Sequence, residues 1–122
     1  MEFIYDDCME EYQALEGRME FIVPKESYSA EASKIAQRIQ EIYTVKLDEI
    51  TQVLVESEDF KEYYAEFERA EVGLRLGRPT IMLEFNESGV AFGTVSYFEN
   101  KIDENQVIQV RFKGELEEIE AE

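Results

Sequence analysis

As far as Phe67 the apolar residues recur mainly at helical spacing, whereas from Leu74 onward they alternate with polar ones. One regular element cannot carry both periods, since a helix repeats every 3.6 residues and a strand every two. This change of beat predicts an α+β fold in which N-terminal helices pack on a C-terminal antiparallel sheet, a meander.

In residues 4–16 the positions Ile4, Cys8, Met9, Tyr12 and Leu15 form one helical stripe that Gly17 would end. The next stretch, "MEFIVP", suits a short strand joining the sheet, with Phe21 and Val23 on one face and Pro24 at its end. "MEFI" also occurs at residues 1–4, but the two copies continue into different residues, so it is no repeat. The clearest helix comes next. Ser27 or Ser29 caps it, Ala32, Ile35, Ala36, Ile39, Ile42 and Tyr43 face inward, and Lys34, Gln37, Arg38 and Glu41 face out. A second helical pattern runs through Leu47, Ile50, Val53 and Leu54, and a third through Phe60, Tyr63, Tyr64 and Phe67, with Ser57 or Asp59 between them. Strands are expected at Ile81 to Phe85, Gly93 to Phe98 and Ile108 to Lys113, the first two joined by a turn over Asn86 to Gly89. The tail has only Leu116 and Ile119 to bury, so it adds an edge strand or frays.

A chain of 122 residues is the size of a single domain, residues 1–122, and its 44% apolar content, with eight Phe and seven Tyr, is enough for a core. Twelve basic residues against twenty-nine acidic ones leave a net charge of −17. The basic residues are scattered along the sequence, with only Arg75 and Arg78 close together, so no nucleic-acid partner is expected. No apolar run approaches the eighteen or so residues of a membrane span. The lone Cys8 and the acidic opening point to a cytoplasmic protein without a membrane partner.

The chain contains no histidine, which removes the commonest general base and the commonest transition-metal ligand together. Cys8 lies on the expected apolar stripe beside Asp7 and Glu10, a setting for a buried structural thiol. The runs Asp6, Asp7, Glu10, Glu11 and Glu58, Asp59, Glu62, Glu66 read as solvated faces, because like charges repel at neutral pH. "DENQVI" lacks the alternating acids and glycine of a calcium loop, and "GLRLGRP" lacks the lysine and spacing of a phosphate loop. No catalytic residue, cofactor or metal is therefore expected. Within "FKEYYAEF" the rings mostly fill core, yet Tyr63 and Tyr64 cannot point the same way, so one hydroxyl reaches solvent. Tyr63 and Tyr64, with Glu62 and Glu66, are the candidate partner contacts. Asn100, Asp103 and Gln106 are turn residues that cap and close the loop between two strands.

Leu76, Gly77, Arg78, Pro79 and Ile81, then Tyr97, Ile102, Asp103, Val107, Ile108, Val110, Phe112 and Gly114, carry a resemblance. This stretch of about forty residues resembles a family of small acidic bacterial proteins without an established activity. The family pattern has histidines where this sequence has Asn100 and Gln106. Amides cannot replace histidine as base or metal ligand. The resemblance implies an immunity or accessory role. Charge without catalytic equipment points the same way, to a non-enzymatic module binding a basic protein. The alternatives are an oligomeric accessory subunit, such as a homodimer, and a carboxylate-based enzyme.

Overall fold

Asp6 redirects the chain within its first ten residues. In the computed structural model, which describes residues 1–122, its carboxylate accepts the N–H groups of Cys8 (2.9 Å) and Met9 (3.2 Å). The chain turns there and passes through Glu10 at φ 53°. The helix expected over residues 4–16 is thus a hairpin, β1 (Ile4–Asp6) and β2 (Glu11–Glu16), with Tyr5 opposite Tyr12. The spacing of three and four is coincidental. Tyr12 and Ala14 face inward beside Val23 and Phe21, whereas Leu15 points the other way and is exposed. Cys8 sits exposed in the turn and is no core thiol.

β3 (Met19–Pro24) pairs with β2 and presents Met19, Phe21 and Val23 to the core, the face expected of it. Its other neighbour is β4 (Thr80–Phe85), which runs parallel to it with Phe21 opposite Ile81. Parallel neighbours need a long crossover, and the helices supply it. They therefore lie in the middle of the chain, not at its N-terminus.

Ser29 caps the first helix by accepting the N–H of Ala32 at 3.1 Å, and α1 (Ala30–Glu56) then runs without a break through both expected patterns. At 27 residues it is about 40 Å long, enough to cross the sheet. Ser57 ends it: the hydroxyl donates to the carbonyl of Leu54 (2.8 Å) and accepts the N–H of Phe60 (3.3 Å), opening α2 (Glu58–Tyr63). A third helix, α3 (Arg69–Arg75), packs on α1 through Val72 and through Gly73 against Thr51. Its residues carry no helical signal, since one buried residue in seven makes no stripe.

β5 (Ala91–Tyr97), β6 (Ile108–Lys113) and β7 (Glu118–Ala121) complete a seven-stranded sheet whose spatial order follows the sequence. The C-terminal meander is as expected, with the tail as a fourth strand. The whole sheet is mixed because of the β3–β4 pair. Gly93 lets β5 lie close to β4, for a Cβ there would overlap the carbonyl oxygen of Met82 and press on the Phe112 ring.

The core lies between the helices and one sheet face, where Phe21, Ile39, Ile50, Ile81, Leu83, Val95 and Val110 are fully buried. The opposite face has no helical cover. One row across it reads Ile4, Gln13, Ile22, Met82, Thr94, Arg111 and Glu120. Phe3, Tyr5, Tyr12 and Tyr28 close the core beside β1 and β2, with Tyr12 and Tyr28 stacked at 3.8 Å. No helix is long and apolar enough to cross a membrane.

Candidate functional site

The loop between β5 and β6 is organised by one buried amide. Asn100 is fully buried, and its two N–H groups donate to the carbonyls of Tyr97 and Gln106, both at 3.0 Å. Its oxygen accepts the N–H groups of Ile102 (3.0 Å) and Asp103 (2.8 Å). A carboxamide has two donors and two acceptor lone pairs, so this side chain is saturated. Asp103 continues the loop by accepting the N–H of Asn105 at 3.1 Å. Gln106 takes part through its backbone, which donates to the carbonyl of Asp103, while its side chain stays exposed.

The start of the loop is anchored to the helical layer. Tyr97 is fully buried, and its hydroxyl shares a 2.6 Å hydrogen bond with that of Tyr43 on α1. Burial pushes the Tyr43 phenol up to about 12, with the Tyr97 bond acting against the rise. Burial raises Tyr97 as well, helped by its closeness to Tyr43. Both stay neutral at physiological pH and act as a structural pair.

α2 faces this loop. Phe60 is buried under the end of α1, and its ring lies 5.1 Å from that of Tyr64. The Tyr64 hydroxyl donates to Asp103 Oδ2 at 2.8 Å, joining residues 39 apart in sequence. Loss of solvent raises its pKa to about 12, and the bond to Asp103 and the charges of Asp103 and Glu66 push the same way. Tyr63 turns outward and is 64% exposed, so its hydroxyl is the free one of the pair.

Between α2, the loop and the end of β7 lies a cleft of about 730 Å³. Phe60, Tyr63, Tyr64 and Val107 supply apolar surface, and Asp59, Asp103 and Glu122 supply carboxylates. No lysine or arginine lines it. Asp59 makes no ion pair, and Glu122 has only a distant one, 3.9 Å from Arg111. The structure thus brings Tyr63, Tyr64, Asp103 and Gln106 to one place. Glu62 and Glu66 are exposed nearby but do not line the cleft, and Asn100 lies behind it. The sequence marks Asp59 only as part of a solvated acidic run and gives Val107 and Glu122 no site role, because each joins the site only through the fold.

No group of three or more Cys, Asp or Glu side chains converges as a metal site would require. What the fold defines is an α+β domain with helices on one sheet face and, at one end, an aromatic cleft carrying acids. Protein-family profiles, characterised proteins and solved structures give no match to this chain.

Proposed function

We propose that the protein is a non-enzymatic protein-binding module of the immunity or inhibitor type, which receives a cationic side chain of a basic partner in the cleft beside α2. The observation that carries this reading is the pairing of aromatic faces with carboxylates in a cleft that holds no cation. A guanidinium or ammonium over a tyrosine ring gains about 0.5–1 kcal/mol at an exposed site and more when water is excluded. Nearby carboxylates add charge-assisted hydrogen bonds. The net charge of −17 steers a basic protein toward such a surface and makes the association sensitive to salt. The lone cysteine supports a cytoplasmic setting.

The other readings have less support. Asp103 is committed to its turn and to Tyr64, and Asp59 is exposed, so neither has the buried setting of a general acid. The outer strand β7 carries Glu118 and Glu120, which would set like charges against each other if two copies paired by their edges. The test is affinity capture from the source lysate with the wild-type chain and an Asp59→Asn/Tyr63→Ser variant, eluted in a salt gradient. A basic protein held by the wild type, released at moderate salt and lost by the variant is the expected result. Equal retention by the variant, or retention through molar salt, contradicts the proposal.

A further inference from the structure

The six arginines fall into two groups. Arg38, Arg69, Arg75 and Arg111 each face a carboxylate within 3.6 Å. Arg18 and Arg78 make neither an ion pair nor a hydrogen bond, and both line the same cleft of about 580 Å³ at the start of β3 and β4. Arg75 and Lys101 line it too, against the acids Glu99 and Glu104. A third of the chain's basic residues, the near neighbours Arg75 and Arg78 together with the distant Arg18 and Lys101, are therefore gathered at one place by the fold. In a chain of net charge −17 the local sign is reversed.

Not all four cations are free. The Arg75 guanidinium bonds Glu71 at 2.9 Å and the carbonyl of Lys101 at 3.0 Å, and Lys101 returns its N–H to the carbonyl of Arg75 at 2.7 Å. This reciprocal pair fastens α3 to the loop after β5. Lys101 also faces Glu104 at 3.3 Å, an exposed and weak pair. Arg18 projects from the β2–β3 turn, and Arg78 follows Gly77, whose φ of 78° carries the chain close past the carbonyl of Glu99. Leu74, 88% exposed, and Phe98, 53% exposed, add an apolar wall.

We propose that this cleft binds a small phosphorylated molecule with a planar, apolar body, of the nucleoside monophosphate kind. The phosphate is held by Arg18 and Arg78 and the body lies against Leu74 and Phe98. A guanidinium presents a planar fork of donors that matches phosphate oxygens. The cleft volume falls in the range of small-molecule sites, roughly 300–1,000 Å³. A small ligand is favoured over a nucleic acid because a polymer would carry further phosphates across the acidic remainder of the surface. The site is independent of the cleft beside α2 and stands whether or not that cleft binds a protein.

Calorimetry on the full chain at low salt tests it, with AMP, inorganic phosphate and a hexaglutamate peptide as probes. AMP is expected to bind more tightly than inorganic phosphate. The Arg18→Gln/Arg78→Gln variant should weaken AMP at least about tenfold, the loss of charge-assisted hydrogen bonds. Phe98→Ser should weaken AMP but leave inorganic phosphate unchanged. Thermal melting of each variant, and the single Arg18→Gln change in an exposed turn, separate lost binding from lost folding. Absence of binding by millimolar AMP, or unchanged affinity in folded Arg18→Gln/Arg78→Gln, overturns the proposal. Inorganic phosphate binding as tightly as AMP overturns the organic ligand, and hexaglutamate binding more tightly than AMP overturns it in favour of an acidic protein segment.

Discussion

Two clefts of opposite sign flank the same loop. Beside α2, Asp103 and Tyr64 are fixed by hydrogen bonds and the wall is aromatic, while beside α3, Arg18 and Arg78 are left without partners. Asn100 lies behind the first, closing the loop toward Gln106, and lines the second. In a chain with twenty-nine acids a negative patch arises easily, so charge alone does not mark the first cleft. Its distinction is geometric: rings and carboxylates held together without a cation. With only twelve basic residues, a positive patch requires the fold to gather them, and there the sign is itself the signal.

The strongest way to break both clefts together is Asn100→Ala. It removes four hydrogen bonds and leaves buried backbone groups unpaired, so urea unfolding should show a loss of about 3 kcal/mol. A loss below about 1 kcal/mol would mean that the loop is held some other way.

Alkali should act first through the buried phenols of the core and the α2 side. Tyr43 and Tyr64 have pKa values raised to about 12 from the ordinary 10.0, so the folded state holds these protons more tightly than the unfolded chain. The stability this contributes is complete below pH 10 and is lost as pH rises through 12, which circular dichroism at stepped pH will follow. Tyr64→Phe should make that decline shallower.

At neutral pH the same Tyr64→Phe change deletes one hydrogen bond and should cost about 1 kcal/mol, with Asp103→Ala costing a similar amount, in denaturant titrations. Arg18→Gln, which removes no contact, should leave stability within about 0.5 kcal/mol. A larger cost would mean that Arg18 is structural and would weaken the contrast between the clefts.

Strong local periods make part of this architecture legible. The α1 stripe from Ala32 to Tyr43 and the alternation through Ile81, Val110 and Phe112 each match the observed inward face. The β1–β2 hairpin is hidden because five apolar residues in thirteen fit a helix by chance, while the deciding interaction is a single Asp6 carboxylate on two backbone amides. The parallel pairing of Phe21 with Ile81 joins residues sixty apart, and no local pattern encodes it. The candidate site divides the same way. Tyr64 and Asp103 each stand out by residue type, but their bond, like the placing of Arg18 and Arg78 in one cleft, belongs to the tertiary fold.

The central claim is that the cleft beside α2 receives a cationic side chain. An NMR titration of the ¹⁵N-labelled protein with a short arginine-bearing peptide tests it most directly. Amide shifts concentrated at Asp59, Tyr63, Asp103 and Val107, and abolished in Asp59→Asn/Tyr63→Ser, are the predicted result. Shifts spread evenly over the acidic surface, or centred on the bare sheet face around Ile22 and Met82, would contradict it.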